Sequence, residues 1–216
     1  YSKITELLGF IPLRHEGKIT GLAALAKPNK KLLRHFRSRY RFAGGRFSRI
    51  FPWPIDSMTD PYWREVLNYP REVIASTAQA ILEEVTTSFV LHWIKMTKCK
   101  NIALAGGVFA NVKLNQRLME HEMVEDIWIA PNMGDGGLAV GALMSHIQPD
   151  PHQISNVYWG NSLGRIDVRR AISRSHIEPI RKDVVQKVAQ ILSQNKYVAV
   201  CKDRMEWGPR ALGNRS

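Results

Sequence analysis

The sequence predicts an α/β fold, because two strand-to-helix units follow one another within residues 101–147. Residues 102–105 and 127–130 are apolar runs too short for helices, and turn-forming residues bound both, so we expect buried strands. Each run leads into a glycine-rich turn and then into a helical apolar pattern, over 112–119 and 138–147. A helix between two strands indicates parallel pairing, with both turns at one edge of the sheet.

A long helix is predicted directly before this unit, over residues 71–96. Ile74, Ala78 and Ile81 follow the three-to-four spacing of a buried stripe. Glu83 lies off the stripe, and we expect it to be an exposed charge.

The local structure of the segments before and after these elements is predicted from the same kinds of sequence pattern. HEGKITGLA at 15–23 is expected to be a solvated, glycine-containing loop on spacing alone. The proline-spaced stretch 149–153 predicts a boundary. Beyond it, apolar spacing predicts helices over 168–173 and 184–195, and an apolar run predicts a strand at 197–201.

The paired glycine turns predict a nucleotide site. Glycine allows positive φ and close approach of a ligand to the main chain, and a helix starting there presents unpaired N–H groups. The alternative is that these glycines only make tight turns and helix caps. The chain contains neither G-x-x-x-x-G-K-[ST] nor G-x-G-x-x-G, which counts against P-loop NTPases and dinucleotide dehydrogenases.

Four segments resemble the O-carbamoyltransferases of nodulation factors and antibiotics: HEGKITGLA, LAGGVFANVKLNQ, APNMGDGGLAVGA and DRMEWGPRALGNRS. The resemblance implies that residues 1–148 are the C-terminal half of an actin/hexokinase/Hsp70-type ATPase domain that binds nucleotide and metal. It implies that 149–156 form a linker and that 157–216 begin a YrdC-like α/β domain. We therefore expect an internal fragment of a longer polypeptide, inactive by itself.

The resemblance further implies an ATP site, with Mg²⁺ accompanying the nucleotide, assembled from short segments along the chain. Its implied cofactor-binding residues are Gly17, Gly21, Gly106, Gly107, Asn111, Gly134, Gly136, Gly137 and Arg204. Lys18 is implied to be catalytic, beside the nucleotide or the interdomain cleft. Asn111 has the alternative of being an ordinary residue early in a helix.

Asp135 is the predicted metal ligand. It lies between two glycines, and carboxylates suit hard or borderline cations. The resemblance implies a divalent metal, iron in similar relatives, whose remaining histidine ligands lie outside this chain. The structural alternative for Asp135 is an N-cap of the next helix.

A cationic cluster near the C-terminus predicts an anion-binding loop, since arginine forks match phosphate oxygens. It consists of Lys202, Arg204, Arg210 and Arg215, among glycine and proline residues. The resemblance implies that carbamoyl phosphate meets ATP here, with Arg210 and Arg215 catalytic. Asp203 stands where the family usually has glycine, which departs from the motif.

The resemblance implies a two-step reaction. Carbamoyl phosphate and ATP give carbamoyl adenylate, and the carbamoyl group then passes to a hydroxyl of an acceptor, usually a sugar. The sequence also allows two alternative functions from the same superfamily: a sugar or acetate kinase, and a tRNA-modifying threonylcarbamoyl transferase. The sequence does not identify the acceptor or the oligomeric state.

Charge concentrates in one segment. The chain carries 31 basic and 19 acidic residues, a net charge of +12, and residues 27–49 hold many of the cations, interleaved with aromatic residues. Such a pattern suits single-stranded nucleic acid, an anionic substrate or a membrane surface. The alternative is a solvated basic loop, or an insertion that docks on the part of the protein outside this chain. The segment does not lie within a recognisable nucleic-acid-binding module.

The remaining composition predicts a cytoplasmic protein. No apolar run approaches the length of a membrane span, and the first residues lack the pattern of a secretory signal. Cys99 and Cys201 form no C-x-x-C pair, so we expect reduced thiols.

Overall fold

The computed structural model describes residues 1–49, 60–148, 150, 156–162, 164–174, 180, 182–209 and 213. The described chain is mixed α/β, as predicted, and forms two compact units, Tyr1–Ala130 and Pro131–Ser216. No helix in the described ranges is long and apolar enough to cross a bilayer. Most of the predicted linker 149–156 lies outside the described residues.

The first unit combines helices with two small sheets. Its helices are α1 (Ser2–Leu7), α2 (Glu16–Ala23), α3 (Lys30–Arg37), α4 (Pro61–Val66), α5 (Arg71–Thr97) and α6 (Val112–Met119). Its strands are β1 (Tyr40–Ala43), β2 (Arg46–Arg49), β3 (Asn101–Leu104) and β4 (Asp126–Ile129). A 3₁₀ turn at Gly107–Ala110 lies between β3 and α6.

Helix α5 is the scaffold of the first unit, and it confirms the helix predicted over 71–96. Ile74, Ala78 and Ile81 are buried, as their spacing predicted. They belong to a core shared with α1, α2, α3 and α4. The C-terminal half of α5 contributes Val90 and Ile94 to a second core with β3, α6 and β4. One helix therefore supports both the helical layer and the parallel sheet.

Strands β3 and β4 pair in parallel, as the sequence predicted. Asn101 lies opposite Asp126, and Leu104 lies opposite Ile129. Helix α6 connects them in sequence and contributes the fully buried Leu114 to their core. Because the strands run in the same direction, their carboxyl ends share one edge of the sheet.

The loop predicted at 15–23 is wrong, because these residues form helix α2. Gly17 and Gly21 lower the intrinsic helix propensity, which favoured a loop. Ile19 has no exposed surface, and α2 packs along α5. Burial against α5 therefore outweighs the local preference.

The basic segment 27–49 folds into helix α3 and the antiparallel β1–β2 hairpin. Phe36 is buried, and the rings of Phe42 and Phe47 contact Phe89 of α5 with centroid distances of 5.6 and 5.0 Å. These aromatic contacts are internal to the unit. Nucleic-acid binding by this segment stays a prediction.

Acidic side chains partly neutralise the same segment. Arg37 forms an ion pair with Glu84 at 2.6 Å, and Arg39 forms one with Asp60 at 2.8 Å. The hydrogen bond from Arg39 is the largest of the effects that lower the pKa of Asp60.

The prediction of exposure for Glu83 is wrong, because its side chain is only 17% exposed and contacts Arg117.

The second unit contains helices α7 (Leu138–Ile147), α8 (Arg165–Ser173) and α9 (Val184–Ser193). Helix α7 has the predicted bounds, whereas α8 begins before its predicted start at residue 168. The strand predicted at 197–201 is wrong: these residues pair with no strand among those the structure describes. Their continuous apolar run suggested a strand, but a strand also requires a partner to hydrogen-bond with.

Both cysteines are free and exposed, which agrees with the predicted reduced thiols. Cys99 lies in the first unit, just before β3, and its thiol contacts the carbonyl oxygen of Asn101 at 3.2 Å. Cys201 lies in the second unit.

Candidate functional site

The first glycine turn follows β3 at the carboxyl edge of the parallel sheet. Gly106 has φ +111°, which residues with a side chain rarely adopt, so the backbone itself requires glycine here. A methyl group built on Gly107 would meet nothing within 4 Å. Among the described residues, no acceptor meets the N–H groups of Gly107 and Val108. Open backbone and free donors are what an anionic ligand requires.

Asn111, at the end of this turn, points into the protein. It is the N-cap of α6, and its Oδ1 accepts a hydrogen bond from the Leu114 N–H at 3.0 Å. Its Nδ2 donates to Gln79 Oε1 at 2.8 Å and to Thr20 Oγ1 at 3.3 Å. An asparagine directly before a helix is a capping signal that the sequence already contained.

Three residues that the sequence analysis missed surround Asn111: Tyr1, Thr20 and Gln79. The Tyr1 hydroxyl donates to Gln79 Oε1 at 2.7 Å and lies 3.2 Å from Thr20 Oγ1. Burial is the largest effect that raises the pKa of Tyr1 to about 12, so its hydroxyl stays a neutral donor at physiological pH. Polar residues in helices are usually exposed, so no sequence signal distinguished them.

Helix α2 carries the predicted residues Gly17, Lys18 and Gly21. Gly17 and Lys18 are exposed, and the Lys18 ammonium lies 5.5 Å from the centre of the Phe10 ring. Nothing lies within 4 Å of a Cβ built on Gly21. Thr20, on the same helix, is hydrogen-bonded to Asn111, so α2 is tied to the end of the first glycine turn.

The second glycine turn belongs to the second unit and begins after Pro131. Asp135 opens a 3₁₀ turn, Asp135–Gly137, and is exposed. The N-cap alternative for Asp135 is not adopted, because Gly137 occupies the cap position of α7 and no side chain caps that helix. A Cβ on Gly137 would overlap the Asn132 carbonyl oxygen, and one on Gly136 would crowd the Asn132 side chain. Gly134 borders open space.

The described residues do not by themselves fit a metal centre. No group of three or more His, Cys, Asp or Glu side chains comes together in the described ranges. Asp135 therefore belongs to no such group among these residues, and one carboxylate does not hold a transition metal. No chemical step through a metal follows from these residues.

A polar cavity of about 360 Å³ lies at the predicted anion loop in the second unit. Its lining residues are Asn156, Tyr158, Lys202, Asp203, Arg204 and Gly213. Asn156 and Tyr158 belong to no motif, which is why the sequence analysis missed them. The predicted residues Arg210 and Arg215 lie outside the described residues.

The described cations of this cavity already contact other groups of the protein. The Arg204 guanidinium donates from Nε to the Gly160 carbonyl at 2.9 Å and from Nη2 to the Trp159 carbonyl at 3.4 Å. Lys202 lies 3.7 Å from Asp203, and both side chains are mostly exposed. Arg204 therefore contacts the wall of the cavity through these two carbonyl groups, and Arg204 and Lys202 are both exposed and present positive charge to it.

Comparison with known proteins assigns the chain to a family. A family model described as the carbamoyltransferase N-terminus matches residues 1–144, two thirds of the chain. The chain belongs to the carbamoyltransferase family. The model for the carbamoyltransferase C-terminus matches residues 189–216, which include the anion loop. The resemblance on which the site residues were predicted is thus confirmed.

Two of the three relatives below align over the whole chain, and the third, NolO, aligns over 68% of it and 28% of its own length. An uncharacterised protein, MJ1058, of Methanocaldococcus jannaschii is 31% identical over 233 residues, covering 100% of this chain and 38% of the relative. Nodulation protein NolNO of Sinorhizobium fredii is 30% identical over 232 residues, covering 100% of this chain and 34% of that protein. Nodulation protein NolO of Bradyrhizobium diazoefficiens is 33% identical over 155 residues. The chain spans well under half the length of these relatives.

Proposed function

We propose that the chain is the nucleotide-binding part of an O-carbamoyltransferase that uses carbamoyl phosphate and ATP. The acceptor is a hydroxyl group, as on the sugar of a nodulation factor or antibiotic. Besides family membership, the observation that carries the proposal is the open turn at Gly106 and Gly107, with its unpaired N–H groups at the sheet edge. The proposal includes an actin/hexokinase/Hsp70-type fold for the ATPase part and a YrdC-like fold for the C-terminal part.

In this proposal the first glycine turn receives the phosphates of ATP. Gly106 provides the backbone geometry, and Gly107 leaves space for the ligand to approach the main chain. Lys18, exposed on α2, adds a positive charge toward the same nucleotide or toward the neighbouring cleft. Mg²⁺ accompanies ATP, as it does in most nucleotide sites, through the phosphate oxygens.

The second unit serves the anionic co-substrate. Lys202 in the polar cavity attracts carbamoyl phosphate, and Tyr158 and Asn156 offer hydrogen bonds. Arg210 and Arg215, which lie outside the described residues, are proposed as catalytic cations from the family resemblance alone. By offsetting phosphate charge, these groups favour hydrolysis of carbamoyl phosphate by water to carbamate and inorganic phosphate, and attack of the carbamate oxygen on the α-phosphorus of ATP, which gives carbamoyl adenylate and releases pyrophosphate. The acceptor hydroxyl then attacks the carbonyl carbon, AMP leaves, and the hydroxyl proton passes to solvent.

Assaying the full-length protein for AMP formation tests the proposal. AMP is expected only when ATP and carbamoyl phosphate are both present, and its release should accelerate with hydroxyl acceptors such as candidate sugars. A kinase of the same superfamily would instead form ADP without carbamoyl phosphate. A protein that forms no AMP under any of these conditions is not the proposed transferase.

Replacing Gly107 by alanine tests whether this glycine contacts the ligand or serves only to form the turn. The new methyl group meets open space in the free protein, so the melting temperature should stay unchanged. It would occupy the space through which ATP approaches, so we expect the Kd for ATP to rise about tenfold or more, the effect of a misfitted contact of about 1.4 kcal/mol. Calorimetric titration with ATP measures this change.

The matched control is Val108→Ala, which trims an exposed side chain beside Gly107 without filling the space over the backbone. Its ATP affinity should equal that of the unmodified protein. If Gly107→Ala also binds ATP normally, the first turn does not contact the nucleotide.

A further inference from the structure

A glutamine in the middle of helix α5 has every hydrogen-bonding position of its side chain filled. Gln79 is only 6% exposed. Its Oε1 accepts from the Tyr1 hydroxyl at 2.7 Å and from Asn111 Nδ2 at 2.8 Å. Its Nε2 donates to Asn111 Oδ1 at 3.0 Å and to Glu83 Oε1 at 2.9 Å. An amide has two donor hydrogens and two acceptor lone pairs, so Gln79 is saturated.

Gln79 and Asn111 thus form a cyclic pair, in which each carboxamide both donates to and accepts from the other. The two remaining positions of Asn111 go to the Leu114 N–H and to Thr20 Oγ1. Asn111 is therefore saturated as well. It has no hydrogen-bonding position left for a nucleotide, which favours an indirect role over direct contact.

The pair joins three helices at one point. Thr20 belongs to α2, Gln79 to α5, and Asn111 caps α6 at the end of the turn that begins at Gly106. On the far side, Glu83 continues the network to Arg117 of α6 at 3.4 Å. A buried polar network holds its members in one geometry, because breaking one bond leaves its partners unsatisfied.

We infer that Gln79 is a positioning residue: its amide pair with Asn111 fixes the first glycine turn and the start of α6 relative to α2, the helix that carries Lys18. The inference rests on the proposed function for its effect on ATP. The fixed geometry of the turn itself is a property of the free protein.

The test replaces Gln79 by methionine in the full-length protein, which keeps the length of the side chain and removes all four hydrogen bonds. Hydrogen exchange of the Phe109, Asn111 and Leu114 amides, whose N–H groups are hydrogen-bonded within the turn and the helix cap, should accelerate about tenfold, because local opening becomes easier when the pair is lost. The KM for ATP should rise by a similar factor, about tenfold, with a smaller change in kcat. Gln116→Met is the matched control, since Gln116 is an exposed glutamine of α6 and should change neither readout.

Thr20→Val is the second variant, in case Gln79→Met fails to fold. It is isosteric and removes only the Oγ1 atom that contacts Asn111 and Tyr1, so it should give a smaller acceleration at the same amides. Unchanged exchange at the Phe109, Asn111 and Leu114 amides in the folded variants would overturn the inference, whether or not ATP binds. If the unmodified protein binds no ATP, the proposed function fails, while the exchange data still decide the role of Gln79.

Discussion

Replacing Gly137 by alanine in the full-length protein is expected to lower the rate of carbamoyl transfer about 100-fold or more. The added Cβ would overlap the carbonyl oxygen of Asn132. That oxygen belongs to the backbone, so the overlap can be relieved only by moving the turn. Asp135 lies in the same 3₁₀ turn and would move with it. This prediction extends the proposed function by placing the second turn in the reactive site of the transferase, where a displacement of about 1 Å is enough for a loss of this size.

Gly141→Ala is the matched control, because Gly141 lies inside α7, the helix that Gly137 precedes, and a Cβ there meets nothing within 4 Å. It should keep full activity and raise stability by up to about 1 kcal/mol, the usual gain from replacing glycine inside a helix. Initial rates of AMP formation and melting temperatures measure both variants. Normal activity of Gly137→Ala would mean that the second turn is not part of the site.

Replacing Trp63 by alanine should lower the free energy of unfolding of the first unit by about 3–5 kcal/mol. Trp63 is 1% exposed and is among the largest fully buried side chains of the described core. It packs edge-on against Tyr62 with a centroid distance of 4.9 Å. Removing it leaves a large cavity between α4 and its neighbours. Urea unfolding followed by circular dichroism measures the loss.

Two further variants test whether the loss in the free energy of unfolding comes from the buried packing of Trp63 or would follow from removing any tryptophan. The Trp63 indole N–H has no hydrogen-bond partner in the described part of the chain, so Trp63→Phe loses no bond and should cost only about 1–2 kcal/mol. Trp93, which is 46% exposed, should tolerate alanine with a loss below about 1 kcal/mol. Equal losses for Trp63→Ala and Trp93→Ala would contradict the burial of Trp63.

The parallel strand–turn–helix unit could be predicted from the sequence because its signals are local. Short apolar runs, glycine turns and three-to-four spacing specify β3, β4 and α7 almost residue by residue. The burial stripe of α5 is equally local, since Ile74, Ala78 and Ile81 repeat at helical spacing. The four motifs, in their order along the chain, also carried the family resemblance, and the family models that match residues 1–144 and 189–216 confirm the family.

What could not be predicted depends on contacts distant in sequence. Helix α2 forms despite Gly17 and Gly21 because Ile19 is buried in the core that α2 shares with α5. Gln79 shows no signal in its own segment, because its partner Asn111 lies 32 positions away. The polar cavity includes Asn156 and Tyr158 for the same reason.

The distribution of the two thiols has a practical consequence. Cys99 and Cys201 are exposed, and each compact unit carries one of them. Replacing either by serine leaves a single reactive handle, so a dye can be attached to a chosen unit without introducing new cysteines. With both thiols labelled, energy transfer between donor and acceptor dyes measures the distance between the two labelled positions.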